Sequence, residues 1–377
     1  MIYLDNAATG RPFKEALETF AKVNEESYGN PNSNHLFGYK AKKILEDSRQ
    51  EVLSLLGLSS THQCIFLSGA SEANSMAIKS VALRYQNRGK KLLVSSVEHP
   101  SVLVAYQQLR DSFSFDPLFL PVSQEGYVSP STLAENMDKD VILVSMMQVN
   151  NETGTIFPIE EYAGILKDYP KALFHVDATQ GIGKVRCDYS KCDLITCSAH
   201  KFGGIKGSGV LIYRKSLQFL PLVSGGQQEF GYRGGTVSVA AAASLATALR
   251  LTMKRMDESY AKVSRLCTML EEGLKEIPEI DVNSPKGHSP YLCNFSLLHH
   301  KASVVVEALS ERGIYVSTVS ACSSKGEPSS SVILAMGKDQ NHAANSIRVS
   351  FSGESTEEDV KGFLTELKKI LEEIKTI

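Results

Sequence analysis

The sequence has no tryptophan, no C-x-x-C pair, no excess of either charge and no apolar run long enough to span a bilayer. Each lack excludes something. With 40 Lys+Arg against 42 Asp+Glu, the formal charge of -2 argues against a broad surface for nucleic acid or anionic membrane. The best span candidate, residues 234–249, falls short of the roughly 20 apolar residues a membrane helix needs. Rich in Gly, Ala, Ser and Thr, it reads as a tightly packed helix. The start, Met1-Ile-Tyr-Leu-Asp5, lacks the basic residues and apolar core of a secretory signal, so a cytoplasmic protein is expected. The 7 cysteines, at 64, 187, 192, 197, 267, 293 and 322, are odd in number and scattered, which favours reduced thiols over a disulfide framework. Cys187, Cys192 and Cys197 are evenly spaced but lack metal-ligand spacing, so no metal site is expected.

What remains is an ordinary globular composition, 42% hydrophobic and 22% charged over 377 residues, enough for more than one domain. Between residues 60 and 215, short apolar runs alternate with amphipathic stretches, the sign of a mostly parallel sheet covered by helices. Strands are expected at 64–67, 91–96, 117–122, 141–147, 172–177, 194–198 and 210–213, with helices at 72–86, 102–109 and 159–168. After Gly235 a long helical region runs to about residue 276, with Lys254, Arg255, Asp257 and Glu258 at its middle. Strand-like 292–298, helical 303–311, strand-like 314–316 and 346–351, and a helix from Thr356 then suggest a smaller α+β unit. The pattern leaves the N-terminal segment unassigned, and residues 317–331 read as a Ser-rich polar loop.

The chemistry begins where an apolar strand ends in Asp177-Ala-Thr-Gln180 and the next ends in Ser198-Ala-His-Lys201. Open α/β sheets bind ligands at the carboxyl ends of their strands, so a carboxylate and an amine would face one ligand. Such a pair suits pyridoxal 5'-phosphate, whose aldehyde condenses with an amine and whose ring nitrogen is kept protonated by a carboxylate. The bland alternatives are a turn or capping aspartate and a solvated lysine. Ser68-Gly-Ala-Ser71-Glu leads from a strand into a helix, an anion site in company and a plain helix start alone. Glu98-His99-Pro100 offers a ring to a planar ligand or merely starts a helix. Asn150-Asn151-Glu-Thr-Gly154 offers an amide or makes a turn. Arg348 suits either a substrate-carboxylate clamp or a structural ion pair. Cys322, in Val319-Ser-Ala-Cys322, is either a reactive loop thiol or inert packing.

Taken in order, Tyr3-Leu-Asp-Asn-Ala-Ala-Thr9, Gly29-Asn-Pro-Asn-Ser-Asn-His35, Ser68-Gly-Ala-Ser-Glu72, Glu98-His99, Asn150-Asn-Glu-Thr-Gly154, His175-Val-Asp-Ala-Thr-Gln180, Ser198-Ala-His-Lys201, Arg233-Gly-Gly-Thr236, Ser320-Ala-Cys322 and Ile347-Arg348 cover the chain from end to end. Together they resemble the cysteine desulfurases, class V aminotransferase-like enzymes of fold type I that depend on pyridoxal 5'-phosphate. The resemblance implies an α/β fold with a large, mostly parallel-sheet domain at 12–255. A small α+β domain at 1–11 and 256–377 would carry the Cys322 loop. It implies that Lys201 binds the cofactor covalently, Asp177 partners its ring nitrogen, Gln180 and Asn151 lie near its hydroxyl, and His99 stacks on the ring. Ala70, Ser71, Ser198 and His200 match phosphate-binding positions, and Thr236 matches one that reaches across a homodimer interface. Arg348, with Asn34, would hold the carboxylate of L-cysteine, and Cys322 would take its sulfur as a persulfide. The Ser-Ala-Cys surroundings resemble the long-loop group, which passes sulfur to a protein acceptor for iron-sulfur assembly or tRNA thiolation, without direct nucleic-acid or membrane contact. Ser71 stands where the family commonly has Thr, a change that keeps the hydroxyl. The alternatives are a selenocysteine lyase, a plain aminotransferase, which would need no thiol, and a cofactor-binding scaffold active only with a partner.

Overall fold

The computed structural model describes residues 1–318 and 329–374. The chain enters through β1 (Ile2–Tyr3) and then forms two helices, Lys14–Glu26 and Leu36–Leu55. The second starts at His35, whose Nδ1 accepts the Gly38 N–H at 3.1 Å. Seven strands follow: β2 (His62–Leu67), β3 (Lys91–Ser95), β4 (Asp116–Leu120), β5 (Val141–Met147), β6 (Leu173–Asp177), β7 (Leu194–Ser198) and β8 (Gly209–Arg214). They form one sheet in the order β2-β8-β7-β6-β5-β3-β4, in which only β8 runs against its neighbours.

The apolar runs explain this sheet. Every residue of β5, β6 and β7 is buried, as expected for parallel strands covered on both faces. Alternate side chains enter two cores: Phe174, Val176, Ile195 and Cys197 join one, while Leu173, Leu194 and Leu211 join the other. All seven expected strands are present, which gives the mostly parallel α/β fold. The helix expected at 72–86 is interrupted: Ala70–Ser75 and Val81–Tyr85 flank a π-helical turn, Met76–Ser80, whose wider winding buries four of its five residues.

The helix Val239–Lys275 has 37 residues and, at 1.5 Å each, spans about 55 Å. Its Ala-rich first part packs Ala242, Leu245, Ala246 and Leu249 into the large core. Its second part gives Val263, Leu266, Leu270 and Leu274 to a third core. Lys254, Arg255, Asp257 and Glu258 are exposed between them. The third core also takes Leu4, Phe295, Ile347, Phe363 and Leu367. It is built on β9 (Ile280–Val282), β10 (Leu292–Leu297), β11 (Ile314–Tyr315), β12 (Ser317–Thr318) and β13 (Ser346–Ser350). The order β12-β13-β10-β9 is antiparallel throughout, and β1 pairs with β11 in parallel. The last helix, Glu357–Glu373, begins in a reciprocal cap between Thr356 and Asp359. Among the described residues, no helix is long and apolar enough to cross a membrane.

Candidate active site

Because β3, β5, β6 and β7 are parallel, their carboxyl ends open on one edge of the sheet. A cavity of about 700 Å³ lies there. It is lined by Lys201, His99, Asp177, Gln180, Asn151, Ala70, Ser71, Ser198, His200 and Arg348. Ten of the residues singled out in the sequence, drawn from six separated segments, thus meet in one place. Asn34 and Thr236 do not line it; both are exposed in the single chain. Cys322 lies outside the described residues.

Asp177 ends β6 and is buried. Its Oδ1 accepts the Thr179 N–H at 3.0 Å, and its Oδ2 accepts from Asn74 Nδ2 at 2.8 Å. Asn74 was not singled out in the sequence. It follows Ser71 by three residues, so the helix that brings Ser71 to the cavity places Asn74 over the aspartate. Its Nδ2 also donates to Ser101 Oγ at 2.9 Å, and its Oδ1 accepts from Thr196 Oγ1. Beneath, Thr196 bonds His175 Nε2 at 3.1 Å, His175 Nδ1 bonds Ser145 Oγ at 2.9 Å, and Tyr106 donates to Ser145 Oγ at 2.7 Å. Burial lowers the His175 pKa to about 4, so this chain of hydrogen bonds under Asp177 carries a neutral imidazole.

Lys201 lies in the 3-10 turn Ala199–Lys201 after β7. Its Nζ donates to the Ala7 carbonyl at 2.5 Å and the Ala8 carbonyl at 2.7 Å. The N-terminal motif therefore belongs to the site. Burial first, and the Arg348 guanidinium second, lower the Lys201 pKa to about 8. Gln180 Nε2 donates to the same Ala7 carbonyl at 2.9 Å, while its Oε1 accepts from Lys184 at 3.1 Å. His99 is the N-cap of Pro100–Phe113, its Nδ1 accepting the Ser101 N–H at 3.1 Å. Helix start and cavity wall are thus one position. Burial lowers its pKa, as does nearby Lys201 against the pull of Asp177, leaving a neutral ring whose proton sits on Nε2. Glu98 is fully buried beside it, and burial, reinforced by Asp177, raises its pKa well above the carboxylate range. The sequence carried it within the Glu98-His99 motif without a role of its own.

At the other end, Ala70 and Ser71 form the first turn of Ala70–Ser75, which starts at Gly69 with no side-chain cap. A Cβ on Gly209 would stand 2.6 Å from Gly69 Cα, so only glycine lets β8 pass beneath this turn. Ser198, His200 and Lys206 complete this end. Burial and nearby lysines lower the His200 pKa to about 4, and its Nδ1 meets Thr9 Oγ1 at 3.2 Å. Arg348, on β13, donates to Asn151 O at 2.9 Å and to Asp5 Oδ1 at 3.1 Å. The ion pair with Asp5 is present, and it stands on the cavity wall.

The donor set fits pyridoxal 5'-phosphate. A braced carboxylate, a half-buried amine of lowered pKa and a neutral ring line the same cavity as a helix start with hydroxyls for an anion. Thr179 Oγ1 and Arg348 Nε, in the same wall, are buried without a partner among the described residues. The aminotransferase class-V family model matches residues 2–363. A "NifS/IcsS protein homolog" of Lactobacillus delbrueckii subsp. bulgaricus is 38% identical, covering 100% of this chain and 99% of its own. A "cysteine desulfurase IscS" of Dictyoglomus turgidum is 37% identical, covering 100% and 96%. A solved structure titled "NifS-like protein" superposes with a TM-score of 0.92 at 34% identity, covering 99% and 100%. The chain belongs to the class-V aminotransferase family, among its pyridoxal 5'-phosphate-dependent cysteine desulfurases.

Proposed function

We propose that this chain converts L-cysteine to L-alanine in the cavity at the strand ends, passing the sulfur to Cys322 and from there to an acceptor protein. The observation that carries this reading is the meeting of Lys201 and Asp177, from the ends of two neighbouring strands, in one cavity. The cofactor, when bound, supplies an electron-accepting ring that weakens the substrate's Cα–H and Cβ–S bonds. Lys201 holds it and carries the α-proton, a task suited to an amine whose pKa is about 8. Asp177, fixed by Asn74 and the Thr179 N–H, would partner the ring nitrogen. Gln180 and Asn151 serve the ring hydroxyl. The neutral His99 ring would lie against the cofactor, with an Nε2 proton to give.

Ala70, Ser71, Ser198 and His200 take the phosphate. Arg348, its Nε still unpartnered among the described residues, clamps the substrate carboxylate; Asn34, outside this cavity in the single chain, is the weaker candidate for a second contact. The Cys322 thiolate attacks the substrate sulfur: the Cβ–S bond breaks, an S–S bond forms, and Cβ takes a proton. Substrate and enzyme thiol thereby become alanine and a persulfide with no outside oxidant.

Thr236, exposed and away from its own chain's cavity, is assigned to the phosphate of a second copy in a homodimer. We assign residues 12–255 to a cofactor-binding domain and residues 1–11 and 256–377 to a smaller one; most core residues follow this division, while Val332, Ile333, Met336 and Ala343 join the large core and Val149 the small one. The near-neutral surface suits protein acceptors in the cytoplasm, serving iron-sulfur assembly or thiolation. The test is mass spectrometry of the holoenzyme after L-cysteine, with alanine measured in parallel. One added sulfur on the Cys322 peptide is expected. Alanine formed with sulfur on no thiol, or on another cysteine, removes Cys322 as the acceptor.

A further inference from the structure

One cluster of metal-ligating side chains takes no part in this reaction. Cys267 and Glu271 lie one turn apart on Val239–Lys275, and His288, just after the positive-φ Gly287, reaches both. Cys267 Sγ is 3.6 Å from His288 Nε2, which is 3.6 Å from Glu271 Oε1. The three ligand atoms lie within 4.8 Å of one another, and among the described residues no other such group of three exists. The cleft above them is lined by Ser264, Lys275, Pro285 and Lys286 and shares no lining residue with the catalytic cavity.

We propose that Cys267, Glu271 and His288 bind a divalent transition-metal ion, zinc by chemical preference. Thiolate, imidazole and carboxylate are the three protein ligands zinc takes. The spacing fits: bonds of about 2.3 Å to sulfur and about 2.0 Å to nitrogen at a tetrahedral angle put those two atoms about 3.5 Å apart. The imidazole is already oriented, because His288 Nδ1 donates to the Pro285 carbonyl at 2.9 Å and so leaves the Nε2 lone pair for the ion. Cys267 is 4% exposed and the His288 side chain 7%, whereas Glu271 is 28% exposed and opens the way in from the cleft. Thiolate and carboxylate together neutralise a divalent ion, so Lys275 and Lys286 at the mouth face an uncharged centre. Water takes the fourth position.

The ion clamps the long helix to the loop before β10. That loop is already tied to the Asn151 turn: Ser289 N–H donates to Gly154 O at 2.8 Å, and Ser284 Oγ donates to Thr153 O at 2.7 Å. At Gly154 the φ is +76°, and a Cβ there would stand 3.2 Å from His288 Cδ2. A metal-held His288 therefore buttresses the turn whose Asn151 carbonyl positions Arg348.

The test uses the reduced, full-length holoenzyme carrying Cys322→Ala, so that this thiol cannot bind metal, stripped with a chelator and titrated with cobalt(II) and then zinc(II). One equivalent per chain, a thiolate-to-cobalt charge-transfer band in the difference spectrum and a zinc-dependent rise in Tm are expected. His288→Gln and Cys267→Ser should each weaken binding about tenfold or more and remove the Tm rise. Absence of the cobalt band, or a band of unchanged affinity in either variant, overturns the site. Should both buried variants fail to fold, the partly exposed Glu271→Gln decides, and unchanged affinity there also overturns it.

Discussion

The Lys201 amine is half-buried near Arg348, with its hydrogens directed to the Ala7 and Ala8 carbonyls. Burial and the Arg348 guanidinium penalise the charged form, so the proton leaves near pH 8 instead of near 10.5. Only the neutral amine condenses with an aldehyde, so uptake of cofactor by the apo-protein should quicken with pH and level off above about 8. Stopped-flow absorbance measures this, and a rate still climbing beyond about pH 10 would contradict the assignment. Asn74 acts one step further out, as a positioning residue. Asn74→Ala removes a hydrogen bond to a charged group, worth about 1.5–3 kcal/mol. If it holds Asp177 for the ring nitrogen, kcat should fall about tenfold or more, the cofactor spectrum should shift, and the cysteine KM should change little. A rise in KM at constant kcat would mean a merely structural role. Lys201 and Asp177 were legible in the sequence because a strand end is a place; Asn74 and Tyr106 were not, because an Asn or Tyr in an amphipathic stretch has no mark until the fold supplies its neighbour.

Elements differ in how openly the sequence declares them. Strands buried on both faces appear as unbroken apolar runs, which is why β3, β5, β6, β7 and β8 were expected near where they stand, while the edge strand β4, largely unburied, was marked only by its Leu-Phe-Leu run. The two- and three-residue strands β1, β9 and β12 are too short to show any period. The helices Lys14–Glu26 and Leu36–Leu55 went unassigned because most of their residues are polar or exposed. Yet Leu36–Leu55 carries Arg49, 2% exposed, which meets Glu229 Oε2 at 2.9 Å and Oε1 at 3.2 Å. Glu229 Oε2 also accepts the Phe66 N–H at 3.1 Å, and the Arg49 guanidinium stands 4.8 Å from the Phe230 ring centre. Glu229 and Phe230 hold positive φ of 46° and 60°, so this buried pair pins a strained turn seven residues before Thr236. Removing one partner leaves a buried charge unpaired, so Arg49→Ala should lower unfolding stability by about 3–5 kcal/mol, read from urea midpoints. A loss under about 1 kcal/mol would show that water reaches Glu229 once Arg49 is gone.

At the scale of the whole molecule, one chain brings ten of its sequence-derived site residues to the cavity and leaves Thr236 outside it. The turn pinned by Arg49 and Glu229 presents that hydroxyl at the surface, a costly way to place a residue that serves nothing. A second copy of the chain gives it a use, and the assignment is separable from simple dimer formation. One hydrogen bond to a charged phosphate contributes about 1.5–3 kcal/mol, so a Thr236→Ala homodimer should hold the cofactor about 10- to 100-fold more weakly. In a heterodimer of Thr236→Ala and Lys201→Ala chains, one cavity lacks its lysine, while the other has Lys201 of its own and an intact Thr236 from its neighbour. If Thr236 acts across the interface, this mixed dimer regains one cofactor per dimer at wild-type affinity, together with about half of the wild-type alanine production. If Thr236 acts within its own chain, the site with the lysine still lacks the hydroxyl, and affinity stays at the weakened value. Differentially tagged chains purified as the mixed dimer, titrated with cofactor and assayed with L-cysteine, separate the two outcomes.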